Sequence, residues 1–206
     1  MCGGLTAWAA LKKARTQPGE WIVISGAGGG IGHLACQMAS KAMGLRVLGI
    51  DSKSKEELAR DCGAEQYLCI EDFSQNNSGE LAIIDAVKTC TVGLGAAAVL
   101  VCNGSDSSYA QSLGFLRFNG TMVVVGCQEG PARPIATATP NMILFNQLHI
   151  TGIAVGNRND AIEVLDLAAR GIIRARVNVE LAEDLEAIFA RMHNKQSFGK
   201  TVVKIF

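Results

Sequence analysis

The stretch Ile24-Ser25-Gly26-Ala27-Gly28-Gly29-Gly30-Ile31-Gly32-His33 leaves a short apolar run and opens a helical one. A diphosphate needs that arrangement: small residues that let the backbone come close, and free N–H groups at the positive end of a helix. In a G-x-G-x-x-G frame, Gly29 and Gly32 take the second and third places. Ala27 takes the first, with Gly26 just before it. The small side chain keeps room for the chain reversal. Asp51 follows about 20 residues on, at the end of the second apolar run. A carboxylate there accepts hydrogen bonds from both adenosine-ribose hydroxyls and repels a 2′-phosphate. NAD is therefore expected rather than NADP, although Lys53 and Lys55 are cations of the kind that accommodate that phosphate. The plainer readings stand beside these: a tight turn with no ligand, and a turn-forming aspartate at a strand end.

The rest of the chain offers less chemistry. The three histidines, His33, His149 and His193, are scattered, and none has ligand spacing to another His or to a Cys. They read as structural or surface residues. Seven cysteines, an odd number without C-x-x-C spacing, fit a reducing, cytoplasmic setting in which most are small core residues. Asn-x-Ser/Thr triplets begin at Asn76, Asn103 and Asn119. The first residues, Met1-Cys2-Gly3-Gly4-Leu5-Thr6, have neither a basic nor an apolar signal region, so the triplets read as chance.

Positioning the glycine loop and the acid requires alternating strands and helices. Apolar runs at 21–25, 46–50, 66–70, 97–101, 121–125 and 148–154 read as strands. Helical patterns fall at 5–14, 30–43, 53–62, 81–90, 107–115 and 157–169, with 126–140 as an irregular loop. A polar stretch at 74–80 reads as a soft connection. Strands separated by helices imply parallel pairing with right-handed crossovers. The expected fold is α/β, a doubly wound six-stranded parallel sheet. Ligand contacts belong at the carboxyl ends of its strands, including Cys102-Asn103-Gly104 and Val125-Gly126-Cys127. After residue 169, a short strand at 177–179, a helix at 182–193 and a strand at 201–205 read as a return to another lobe.

Composition agrees. The chain has 206 residues, is 49% apolar and has few aromatics, so its core is aliphatic. Formal net charge is zero, which argues against nucleic acid or an anionic membrane as partner. No apolar run is long enough to span a bilayer.

Together these motifs resemble the zinc-dependent medium-chain alcohol dehydrogenases, in particular the tetrameric yeast and fungal type. The matching stretches also include Arg46-Val47-Leu48-Gly49-Ile50-Asp51, Asn119-Gly120-Thr121, Val155-Gly156-Asn157-Arg158 and Gly199-Lys200-Thr201-Val202-Val203. The resemblance covers nearly the whole chain, and Ala27 in the first glycine place is a habit of this branch. It implies a Rossmann domain over 1–156, including a linking helix. Helices and a strand over 157–206 then return toward an amino-terminal GroES-like catalytic domain. It implies Cys2 as one ligand of a catalytic zinc, Thr6 near the nicotinamide, the Gly29-Gly30-Ile31 turn on the pyrophosphate, and Gly26 to Gly32 as a whole at the cofactor. Asp51 and Lys55 fall to the adenosine ribose. Val125, Gly126, Cys127, Ile153 and Val155 fall beside the carboxamide, and Lys200 to the phosphates.

The family's remaining zinc ligands and proton-relay groups have no counterpart here, and one thiolate cannot hold a catalytic zinc. The isolated chain is expected to bind NAD(H) with little catalysis. The full enzyme would move hydride between NAD and a primary or secondary alcohol and its carbonyl product. Two other readings stay open: a stand-alone dinucleotide-binding or oligomerising module, and a zinc-free quinone or enoyl reductase relative. An apolar edge strand at 148–154 implies a homo-oligomer, dimer or tetramer.

Overall fold

A computed structural model describes residues 2–73, 79–128, 130–131 and 133–205. The soft connection expected at 74–80 lies largely outside the described residues, as does Asn76. Six strands form one parallel sheet: β1 (Trp21–Ser25), β2 (Arg46–Asp51), β3 (Ala64–Cys69), β4 (Ala96–Val101), β5 (Leu116–Val124) and β6 (His149–Gly152). Their order is β3-β2-β1-β4-β5-β6, and every pairing is parallel. The doubly wound α/β fold is the one the sequence implies. The order reverses between β1 and β4, which opens a crevice at their carboxyl ends.

Alternation along the strands builds two cores. Ile22 and Ile24 of β1, Val47 of β2, Leu100 of β4 and Val123 of β5 share one face with α1 (Cys2–Lys13) and α2 (Gly32–Gln37). Val23, Leu48, Val99 and Met122 face the other way, under α4 (Gly79–Cys90) and α5 (Asp106–Ser112). Leu11 and Phe115 are fully buried on opposite faces. Each contributes about 1.5–3 kcal/mol of transfer free energy. Short α3 (Glu56–Asp61) follows a 3-10 turn at Lys53–Lys55, and α2 continues as a π turn over Met38–Ala42.

Two strand lengths and one unassigned stretch need correction. The irregular loop ends at Thr139, within one residue of its expected bound, and the stretch after it, which carried no assignment, is a helix, α6 (Pro140–Asn146). Thr139 caps it by accepting the Met142 N–H, Pro140 fixes its first turn, and Gln147 ends it in the left-handed region. The sixth strand is correspondingly short, four residues at the sheet edge. The fifth strand is longer than expected. It begins at Leu116 and is bulged where Asn119 takes φ +60.

Beyond the sheet, α7 (Arg158–Ala169) starts in a capping box of Asn157 and Asp160. Lys12 of α1 pairs with Asp160 and with Glu163 at 2.8 Å, which ties the first helix to the seventh. A parallel pair, β7 (Val177–Leu181) and β8 (Lys200–Lys204), is linked by α8 (Leu185–His193). No described helix is long and apolar enough to cross a membrane.

Candidate functional site

The glycine loop sits where β1 meets α2. Gly26 turns the chain at φ +84, and its N–H and that of Ala27 donate to Ile50 O on β2. Its carbonyl then accepts the Gly29 N–H at 3.1 Å. A Cβ on Gly32 would lie 2.0 Å from Gly26 O, so only glycine lets α2 start this close to the strand end. Ala27 is fully buried, with its methyl facing Gly49 of β2, and Ile31 packs on the core. Among the described residues, the N–H groups of Gly30 and Ile31 have no acceptor within the chain. The turn therefore keeps amides open at a helix start, as anion binding requires.

Asp51 ends β2 beside this loop. Its carboxylate accepts the Gly28 N–H at 3.0 Å and the Ser52 N–H at 2.8 Å, and Lys55 Nζ stands 3.3 Å away. The Lys55 stem lies over Gly28, where an added Cβ would be 2.5 Å from Lys55 Cβ. Lys55 is buried, so its ammonium is held against Asp51 and does not reach into solvent. The carboxylate thus shapes the loop before any ligand arrives.

Lys200 arrives from the far end of the chain. A Cβ on Gly30 would stand 3.3 Å from Lys200 Nζ, and one on Gly3 3.2 Å from it. Among the described residues Lys200 has no ion pair. An unpaired ammonium, the open amides and the start of α1 therefore converge on one spot. Cys2 opens α1 and is exposed there. Thr6 lies one turn further in, buried, and its hydroxyl donates to Cys2 O at 2.8 Å.

On the other side of the crevice, backbone meets backbone. Val125 and Gly126 both donate to Val101 O. A Cβ on Gly126 would lie 2.3 Å from Asn103 O, and one on Gly104 would lie 1.9 Å from Cys127 O. Asn103 Nδ2 donates to Ser25 Oγ, and the Tyr109 hydroxyl to Gly126 O. Burial pushes the Cys102 thiol up to about 12, with the Asp51 charge adding to it, so this thiol stays uncharged at the crevice floor. Ile153 donates its N–H to Val124 O, and Val155 holds φ +62, an uncommon state for a β-branched residue. Cys127 is exposed.

The glycine loop, Asp51, Lys55 and Lys200 are thus brought together, whereas a set of metal donors is not. Among the described residues no group of three His, Cys, Asp or Glu could hold a metal ion. Cys2 is a single donor, and the zinc does not fit the residues present. Sequence reasoning took His33 as a structural or surface residue, without its partners, and passed over Gln37. His33 is fully buried beneath the loop, and Gln37 bonds the backbone at Arg174 in both directions. A polar pair at i and i+4 on a helix whose other positions are apolar was the available signal.

Comparison with known proteins agrees with this arrangement. The family model described as "Zinc-binding dehydrogenase" matches residues 30–170. Alcohol dehydrogenase 2 of Emericella nidulans is 50% identical over all 206 residues, which span 56% of its length. Alcohol dehydrogenase of Schizosaccharomyces pombe is 41% identical, and the chain spans 55% of it. The crystal structure of an alcohol dehydrogenase from Aeropyrum pernix superposes with a TM-score of 0.84 at 26% identity, over 98% of this chain and 56% of that one. The chain therefore spans about half the length of the curated relatives it matches. With the family matched over most of the fold and half of all positions identical to a curated member, this chain belongs to the zinc-binding, medium-chain alcohol dehydrogenase family.

Proposed function

We propose that this chain binds NAD(H) along the carboxyl ends of β1, β2 and β4, as the coenzyme-holding part of an NAD-dependent alcohol dehydrogenase. The observation that carries the reading is the pairing of two opposite charges across one glycine turn. The Asp51 carboxylate stands at one end, and the Lys200 ammonium lies over Gly30 at the other. A dinucleotide has vicinal ribose hydroxyls to meet the acid and a diphosphate to meet the cation and the open amides. The backbone floor of Val125, Gly126 and Cys127, with Ile153 and Val155 beside it, would receive the nicotinamide end. When bound, the coenzyme supplies hydride acceptance and return. The protein supplies grip, orientation and a dry floor.

The preference for NAD rests on Asp51, because a carboxylate at the ribose repels a 2′-phosphate, and the buried Lys55 is already neutralised by it. The alcohol and its carbonyl product belong to the whole enzyme, as do any further zinc ligands. Cys2 would contribute one thiolate beside the coenzyme loop. Several large apolar side chains of the carboxyl-terminal lobe are exposed, among them Val179, Phe189, Phe198 and Ile205. They are consistent with a lobe built to be covered by another domain. Fluorescence titration of the purified chain with NADH, and then with NADPH, tests the reading. Saturable NADH binding that exceeds NADPH binding is expected. A properly folded chain that binds neither would overturn it.

A further inference from the structure

The buried His33 uses both ring nitrogens. Its Nδ1 lies 2.8 Å from Gly29 O, and its Nε2 accepts the Arg176 N–H at 3.2 Å. Those partners allow only one form: Nδ1 must carry the proton and Nε2 must not. One turn along α2, Gln37 repeats the device. Its Oε1 accepts the Arg174 N–H at 2.8 Å, and its Nε2 donates to Arg174 O at 3.0 Å and to His33 O at 3.1 Å. Arg176 O in turn accepts the Lys200 N–H at 2.8 Å, and the Gly199 N–H donates to Gly28 O at 2.9 Å. The bonds close a ring from Gly29 through His33, Arg176 and Gly199–Lys200 back to Gly28. The glycine turn and the strand bearing the cation are thereby held at a fixed spacing.

Building on the coenzyme reading above, we propose that His33 is a positioning residue for the diphosphate. As the neutral Nδ1–H tautomer it sets the distance between the open amides of the glycine turn and the Lys200 ammonium. It touches no ligand itself. A proton added at Nε2 would set donor against donor at Arg176 and break the ring at that point. The charged groups facing the imidazole are Lys200 on β8 and Arg176 just before β7, both cationic. Burial and these two charges hold the imidazole below its ordinary value of 6.5, so the neutral form prevails at neutral pH.

A histidine that merely fills the core would affect every ligand alike, whereas a diphosphate-positioning histidine would not. The test compares ADP-ribose with adenosine, each displacing NADH, on the unmodified chain, His33→Asn, Lys200→Ala and the double variant. His33→Asn is expected to weaken ADP-ribose binding about tenfold and to leave adenosine within about twofold. In the Lys200→Ala background the same change should cost ADP-ribose little more, because the cation it positions is gone. Equal losses for both ligands, or full additivity in the double variant, would overturn the proposal. Should His33→Asn fail to fold, the pH profile of the unmodified chain decides. The ADP-ribose to adenosine affinity ratio should fall as pH drops below 6.5, and a flat ratio down to the acid limit of folding refutes the role. Absence of NADH binding by the unmodified chain at pH 8 would instead remove the coenzyme reading, and this proposal with it.

Discussion

Replacing Asp51 with alanine is expected to have two separable effects, one on ligand and one on fold. The carboxylate would give a bound NADH two charge-assisted hydrogen bonds from the adenosine ribose. Losing them costs about 1–3 kcal/mol, or about 5- to 150-fold in affinity. The fold loses more. Asp51 accepts two backbone N–H groups and neutralises Lys55 at 3.3 Å, with the two side chains only 13% and 8% exposed. Stranding that ammonium costs up to about 3–5 kcal/mol, less whatever Lys55 recovers by swinging toward water. The double variant Asp51→Ala, Lys55→Met should regain stability, because the orphan cation has become an apolar chain of similar length. It should not regain NADH affinity. Asp51→Ala alone should narrow the gap between NADH and NADPH, since the freed Lys55 can meet a 2′-phosphate, and the double variant should lose that gain. Urea midpoints give the first comparison, and fluorescence titrations with both coenzymes give the second. A folded Asp51→Ala chain with unchanged NADH affinity and unchanged preference would refute the assignment of the carboxylate to the ribose.

Four further outcomes follow from the geometry. Gly32→Ala places a methyl 2.0 Å from Gly26 O, a backbone atom that cannot turn aside, so a stability loss of about 1–3 kcal/mol and weakened NADH binding are expected. Gly152→Ala, whose nearest neighbour would be 3.9 Å away, should lie within about 0.5 kcal/mol of the parent by urea denaturation. Burial holds His33 below 6.5, so in mild acid the unfolded chain takes up a proton that the folded chain refuses. Urea midpoints should therefore decline as pH falls from 6.5 toward the native value of His33, and constant midpoints between pH 7 and 5 would contradict this. The exposed edge strand β6, with Ile150 on it and Leu144 and Phe145 protruding from α6 nearby, should pair with a second copy. Sedimentation showing only monomer at micromolar concentration would count against it.

The loop and the acid were legible because their signals are local. A strand that must turn sharply into a helix spells itself in glycines, and an acid at the next strand end lies at a spacing set by one βαβ unit. Helix α6 was legible too, in Thr139-Pro140, but the Gly- and Pro-rich run before it masked the cap. The role of His33 was not legible, since its acceptor is one turn away while the donor to it lies 143 residues on. The same holds for Gln37 and Arg174, 137 residues apart. No periodicity encodes such pairs. They exist only once α7 and the β7–β8 pair have folded back on the first core.

That return explains why the carboxyl-terminal lobe matters to a site whose loop it does not supply. The sheet alone fixes the turn, through Ile50 O and the close contact of Gly32 with Gly26. It leaves the turn with open amides and the Asp51 carboxylate, an arrangement favourable to a ribose but short of positive charge for a diphosphate. Lys200 would supply that charge from β8, where its backbone N–H donates to Arg176 O and the neighbouring Gly199 N–H donates to Gly28 O. Lys12 with Asp160 and Glu163 secures the opposite end of the same lobe against α1. Two anchors with the loop between them make the place of the backbone that carries Lys200 a property of the fold, so that the flexible side chain has only the last few ångströms to cover.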